Sequence, residues 1–370
     1  MSGAGLTDDE NMLAHAAMAF AGSLGRSDNE TIWQQLVEHG WIGTLAQTAD
    51  GGTGGSPTDL LLLAQALGFH RVSAPFLALA ATTVPLLDGT ASPLRSKWLV
   101  GHLDGTAPVA TAWLETSGDP LGHHVATGLK KTGSQYILNG AKRMVLGGPV
   151  ASALIVSATE QRAGTNSIRL VMVPVRAPGL SLMPYRLVDG SSAADVTFDN
   201  VELPIEAIVA ADRAQQLLGQ ALETASIAVL GEAIGCLEGA LGQTIEHVTT
   251  RRQFGAPLAA LQVIRHRIAD MYIALEQLRS LGLAAARAWQ TSDRAAAVHA
   301  AKIHLGHKGV WAAEQAIQLH GAMGVTEDCN IGQFLKRMIV LDRLFGNADY
   351  HAAQFEELLL PITPSRESAS

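Results

Sequence analysis

Cysteine is nearly absent: the 370 residues hold two, Cys236 and Cys329. Two such distant thiols exclude a disulfide framework and fit a reducing compartment. Neither has a second cysteine or a close histidine at metal-ligand spacing, so no metal site is expected. A basic surface is missing too. The net charge is −8, with 26 Lys and Arg against 34 Asp and Glu, which argues against a phosphate-backbone partner. The N-terminus, "MSGAGLTDDENM", has acids where a secretory leader needs bases. The longest apolar run near it, "FLALAATTVPLL" (76–87), is too short to span a bilayer and contains Pro85. Glycine is frequent, at 37, but scattered, which removes collagen-like and low-complexity classes. No internal repeat is present. The expectation is a cytoplasmic globular protein of two or three packed units, with a large core drawn from its 48% hydrophobic residues.

The texture changes twice along the chain. Residues 1–105 read as a helical domain. "NETIWQQLVEHGWIGTL" (29–45) has Ile32, Leu36 and Trp41 at helical spacing, with Gly40 as a stop. After the loop "ADGGTGGSPTD" (49–59), Ser56 reads as an N-cap with Pro57 at the first helical position, and the helix is expected to end at Gly68. Residues 106–206 read as a central β domain, a barrel or sandwich. "SQYILNG", "SALIVSA", "SIRLVMVPV" and "ADVTFDNV" are short apolar runs bounded by turn residues. Helical periodicity returns over 207–370. It predicts a helix near thirty residues long up to "TTRRQFG", then helices over 257–290, 292–322 and 328–344 that form a bundle. The fold class is therefore α+β: N-terminal helices, a β domain, and a C-terminal four-helix bundle.

Two motifs sit at helix ends. "RRQFG" (251–255) joins a helix C-terminus to a restart at Pro257, and "QLHGAMG" (318–324) closes another helix. Alone, each has an ordinary account as a cap. In this order, and together with "GGTGG" after "EHGWIG", "LNGAK" (138–142), "TFDNVELP" (197–204), "ADM" (269–271) and "QLHGAMGVTED", the chain resembles the acyl-CoA dehydrogenase family over nearly its whole length.

That resemblance implies a flavoenzyme with FAD and an acyl-CoA substrate. In the family a carboxylate removes the α-proton of the thioester while the β-hydrogen leaves as hydride to the flavin, giving the trans-2-enoyl-CoA. It also implies oligomers, commonly tetramers, and an electron-transfer partner for reoxidation. Each FAD is shared, its ring in one subunit and its ADP half gripped partly by a neighbour's bundle. By resemblance, Arg251, Phe254, Gln318, Gly321 and Ala322 match the residues that reach a neighbour's ADP half. A guanidinium suits phosphate oxygens by charge and by its fork of donors.

The positions facing the chain's own flavin ring depart from the family pattern. In "AWLETSGDP" (112–120) Glu115 remains, but Leu114 replaces a threonine and Thr116 a proline. After "NGAK", Met144 and Leu146 stand where a tryptophan and a hydroxyl residue are expected, and Leu146 cannot donate a hydrogen bond. The commonest family base is a glutamate before glycine; the position is Phe345–Gly346, with Asn347 in place of threonine. The alternative base position, on the first bundle helix, is Ala225. Two acids lie near it. Glu223 is about 200° around the helix from Ala225. Glu232 lies within about 20° of Ala225's face but about 10 Å further along the axis.

Three functions remain open: a partner subunit that completes a related chain's FAD site; a competent homomeric dehydrogenase with a shifted base; or a non-redox acyl-CoA-binding protein or flavin oxidase on the same fold.

Overall fold

The computed structural model describes residues 5–24, 29–90, 94–116, 119–120, 122–162, 165–253, 255–326 and 329–360. Helices come first: α1 (Asp8–Leu24), α2 (Asn29–Glu38), α3 (Pro57–His70), α4 (Val84–Asp88) and α5 (Leu94–Leu103). The start of α3 follows from its sequence. Ser56 Oγ accepts the Asp59 N–H at 3.2 Å, and the Asp59 carboxylate takes the Ser56 N–H at 2.7 Å. The helix does not stop at Gly68. It runs to His70 and ends on Arg71 at φ 55°. Gly68 serves packing instead, because a Cβ there would lie 2.1 Å from the Glu232 carbonyl oxygen.

Eight strands follow: β1 (Val109–Ala112), β2 (Gly128–Thr132), β3 (Gln135–Leu146), β4 (Ala153–Arg162), β5 (Thr165–Pro174), β6 (Leu180–Arg186), β7 (Ser192–Pro204) and β8 (Ile208–Ala210). They form one sheet in the order β6-β7-β3-β2-β4-β5-β8, with β1 against β4. The end strands β6 and β8 do not pair with each other, so the sheet is open and the expected barrel does not close. The β3–β7 register shifts twice, between Leu138 and Gly140 and between Lys142 and Val145. The second irregularity puts Met144 at φ 49° and turns the strand end toward the helices.

The remaining helices are α6 (Ala214–Thr250), α7 (Gln262–Arg287), α8 (Arg294–His304), α9 (Val310–His320), α10 (Ile331–Arg343) and α11 (Ala348–Leu359). α8 and α9 are one helical run broken by a wide π-turn over Leu305–Gly309, and the last apolar run is a further helix, α11. α6 is longer than expected, at 37 residues, and every residue from Thr224 to Leu237 is buried. Among the described residues it is the one helix long and apolar enough to cross a membrane, but 89% of its apolar window lies buried inside the fold. α3, α4, α7, α8, α9 and α10 pack around it.

Candidate active site and nucleotide cleft

α6 ends on Arg251, whose N–H still reaches the His247 carbonyl. The chain then turns back in a short hairpin, Arg252–Gln253 against Ala256–Pro257, with Gly255 at φ 81°. On the facing side α9 closes on Gly321, at φ 63° and ψ −142°, a conformation that favours glycine. Between them is an open cleft of about 580 Å³ lined by Arg251, Arg267, Gln318, Gly321 and Ala322. The His247 and His320 rings stack in it at 4.3 Å. Burial, then the charges of His320 and Arg251, lowers the His247 pKa, so the cleft's fixed positive charge rests on its guanidiniums. Nothing lies within 4 Å of where a Gly321 Cβ would be, so a ligand can approach its backbone closely. This chemistry suits a diphosphate, and the cleft unites four of the five residues expected to meet an ADP group. The fifth, Phe254, lies outside the described residues.

The β-domain side is built differently. Lys142 is fully buried; its Nζ donates to Glu115 Oε1 at 2.6 Å, Ser157 Oγ at 2.9 Å and the Trp113 carbonyl at 3.2 Å. Glu115 also accepts the Thr127 hydroxyl at 2.7 Å and the N–H groups of Ala126 and Thr127 at 2.7 and 3.0 Å. Burial raises the Glu115 carboxyl, but Lys142 and these donors outweigh it and the net shift is downward. Burial lowers the Lys142 ammonium to about 8 against the pull of Glu115. Two residues kept from the family signatures are thus satisfied by each other, inside the sheet.

Position 345 is closed. Phe345 is 3% exposed, and its ring stacks on Trp113 at 5.6 Å and 23°. Its φ of 59° is strained for an aromatic residue and is held from several sides. The buried Lys302 ammonium donates to the carbonyls of Leu341, Asp342 and Leu344 at 3.0, 3.0 and 2.9 Å. His351 Nε2 donates to the Phe345 carbonyl at 3.1 Å, and its Nδ1 meets His299 Nδ1 at 2.7 Å. Burial, then Lys302 and His299, holds His351 down at about 3, so it is neutral. Burial takes Lys302 to about 7, with Asp342 opposing. Asn347 caps α11, its Oδ1 accepting the Tyr350 N–H at 3.0 Å. The base position therefore holds an indole–phenyl stack, and Leu146 at the neighbouring ring position offers no donor, so these side chains supply neither the base nor the ring-edge hydrogen bond of the family pattern.

Neither candidate acid replaces the base. Arg337 Nε and Nη2 donate to the two oxygens of Glu232 at 2.5 and 2.8 Å, and Nη1 to Asp189 at 2.7 Å. Both Glu232 oxygens are thus engaged by one guanidinium. The arginine is held charged despite burial, because Glu232 and Asp189 surround it. Glu223 turns to α8, where it meets Arg294 at 2.7 Å; burial raises its carboxyl and Arg294 opposes this. Ala225 is fully buried. The sequence reading missed Trp113, Lys302 and Arg337. None of the three carries a local sequence signal, since each acts on residues distant in the chain.

The chain matches two protein-family descriptions: "Acyl-CoA dehydrogenase, middle domain" over residues 115–201 and "Acyl-CoA dehydrogenase, C-terminal domain" over 215–360. Acyl-CoA dehydrogenase FadE12 of Mycobacterium tuberculosis is 27% identical over 318 residues, covering 82% of this chain and 81% of its own. Among solved structures, the ChsE4-ChsE5 complex from Mycobacterium tuberculosis superposes with a TM-score of 0.85 at 21% identity, covering 99% of both chains. A glutaryl-CoA dehydrogenase from Mycobacterium smegmatis in complex with FADH2 gives 0.88 at 19%, covering 98% of this chain and 97% of its own.

Proposed function

The chain belongs to the acyl-CoA dehydrogenase family of flavin-dependent oxidoreductases acting on acyl-CoA, and on that premise we propose that it is a partner subunit, completing the FAD site of a related catalytic chain. The observation that carries this reading is an asymmetry. The cleft around Arg251 is open and suited to a diphosphate, while the chain's own base position holds Phe345 stacked on Trp113 and its ring-facing positions lack the family's donors. Loss without a division of labour would not spare one half.

Within the assembly Arg251, Gln318, Gly321 and Ala322 would hold the ADP half of an FAD whose ring lies in the catalytic partner. Bound FAD supplies the hydride acceptor for α,β-dehydrogenation. Arg251 would bind and orient the pyrophosphate through charge-assisted hydrogen bonds, and the bare Gly321 backbone would let the nucleotide lie close. The α-proton would go to the partner's carboxylate, because neither Phe345 nor Ala225 can accept it. The complex would be a cytoplasmic hetero-oligomer, a tetramer by family habit, reoxidised by an electron-transfer protein.

Co-expression with related dehydrogenase chains from the same genome tests this. The expected product is a yellow complex with one FAD per pair of chains and acyl-CoA turnover, while this chain alone is colourless. A yellow homomer with one FAD per chain and full turnover would sink the reading.

A further inference from the structure

The nucleotide cleft holds two histidines as well as its guanidiniums. His247 lies in the last turn of α6, where its carbonyl takes the Arg251 N–H, and His320 is the last residue of α9. Their rings lie 4.3 Å apart and within 22° of parallel. The two imidazoles are not equally free. His320 Nδ1 sits 2.8 Å from the Ala316 carbonyl, which can only accept, so that nitrogen carries a hydrogen. Among the described residues nothing hydrogen-bonds the His247 ring, which leaves its nitrogens uncommitted.

The charges around His247 have one sign. Arg251 at the end of its own helix, Arg267 from α7 and the His320 ring from α9 line the same cleft. The hairpin and the turn after Gly321 add Gln253 and no charge, and no carboxylate lines the cleft among the described residues. A proton on His247 would add like charge to this set. Burial first, and then His320 and Arg251, therefore hold its pKa below the ordinary histidine range. A diphosphate on Arg251 reverses the balance. It brings two negative charges to within about one helical turn of the ring, and these favour the imidazolium. Ligand and proton then bind together, each strengthening the other by the same factor.

We propose that His247 is a further diphosphate-binding residue of the cleft, one that takes up a proton as the nucleotide arrives, so that the nucleotide is held more tightly in mild acid than above neutral pH. This rests on the cleft being the nucleotide site of the proposed function. The occupied cleft keeps the proton to a higher pH than the free cleft. Affinity therefore rises as pH falls between those two values and is level outside them.

Calorimetric titration of the full chain with ADP-ribose tests it, because that diphosphate diester keeps both negative charges from pH 7.5 to pH 6.0. Affinity at pH 6.0 is expected to exceed that at pH 7.5 by about fivefold or more, against a one-proton ceiling of about tenfold per pH unit. Titrations in two buffers of unlike ionisation heat should show net proton uptake on binding. His247→Phe keeps a ring against His320 but cannot titrate, and it should bring the two affinities to within about twofold. His247→Gln gives the same readout if the first variant misfolds. Equal affinity at the two pH values, no net proton uptake, or a gain at pH 6.0 that survives in both variants would each overturn the proposal while leaving the cleft as the nucleotide site. Absence of ADP-ribose binding at both pH values would instead remove the cleft as that site, and this inference with it.

Discussion

A carboxylate at position 345 would lie against an indole face, in a site where the present side chain is 3% exposed. Nothing described there would pair with it, since the Lys302 ammonium is spent on three carbonyls. Phe345→Glu is therefore expected to lose the ring stack and strand a charge, costing about 3–5 kcal/mol. Urea denaturation should show a lower midpoint, and dye reduction with acyl-CoA should show no turnover by the chain alone. Turnover gained by this one change would mean that the ring site is intact. At this scale the sequence was partly legible. Phe345, Leu114, Leu146 and Asn347 could be read because each replaces a residue type whose chemistry it cannot perform. Lys302 and Arg337 could not be read. Lys302 acts on backbone carbonyls about forty positions on, and Arg337 on a helix 105 residues before it. Glu115 was read as a survivor of a cofactor site, and the structure pairs it with Lys142.

Elements meet through contacts that periodicity does not encode. Spacing correctly gave α6 an apolar face but could not show how close α3 comes. A Cβ on Gly231 or Gly235 would lie 2.2 or 1.9 Å from carbonyl oxygens of α3, so the two helices touch backbone to backbone. β2 is obscured because Leu129 is its one apolar residue, and β6 because Pro184 interrupts its run; pairing makes both of them strands. α5 is tied to its neighbours by a histidine. The Val109 N–H donates to His102 Nδ1 at 3.0 Å, so Nε2 carries the proton and donates to the Leu79 carbonyl at 3.0 Å. That carbonyl belongs to the wide π-turn Leu77–Thr83, and the ring thereby joins α5, the turn and β1. Burial lowers His102 to about 4, with the Leu79 bond opposing. The folded value lies below the unfolded one, so the unfolded chain takes up the proton first as pH falls. The contribution is whole above about pH 6.5 and is lost toward pH 4, by about 3 kcal/mol. His351 acts in the same direction. Unfolding free energy measured from pH 7 to pH 4.5 should fall, and His102→Gln, which cannot titrate, should flatten the slope. An unchanged slope would remove His102 as its source.

The order helices, sheet, helices was legible because apolar spacing changes between the helical and strand periods near residues 105 and 207. Closure of the sheet was not, because it depends on whether β6 and β8 meet, and no local pattern fixes that distance. Under the proposed function, the cleft around Arg251 is completed from outside the chain. Arg251 is exposed, and among the described residues no carboxylate pairs with its guanidinium, so its removal should leave stability within about 0.5 kcal/mol. In a complex with a catalytic partner it would instead lose charge-assisted bonds to phosphate, about 1.5–3 kcal/mol, or roughly ten- to a hundredfold in FAD affinity. Arg252 is the matched control, since it donates to the Gly255 carbonyl within its own hairpin. Arg251→Ala should therefore yield complex that assembles and melts normally but sheds FAD on gel filtration, while Arg252→Ala keeps its colour. If both variants keep FAD, the cleft is not where the nucleotide lies. If Arg251→Ala fails to assemble, its role is in the interface and the division of the cofactor between two chains must be redrawn.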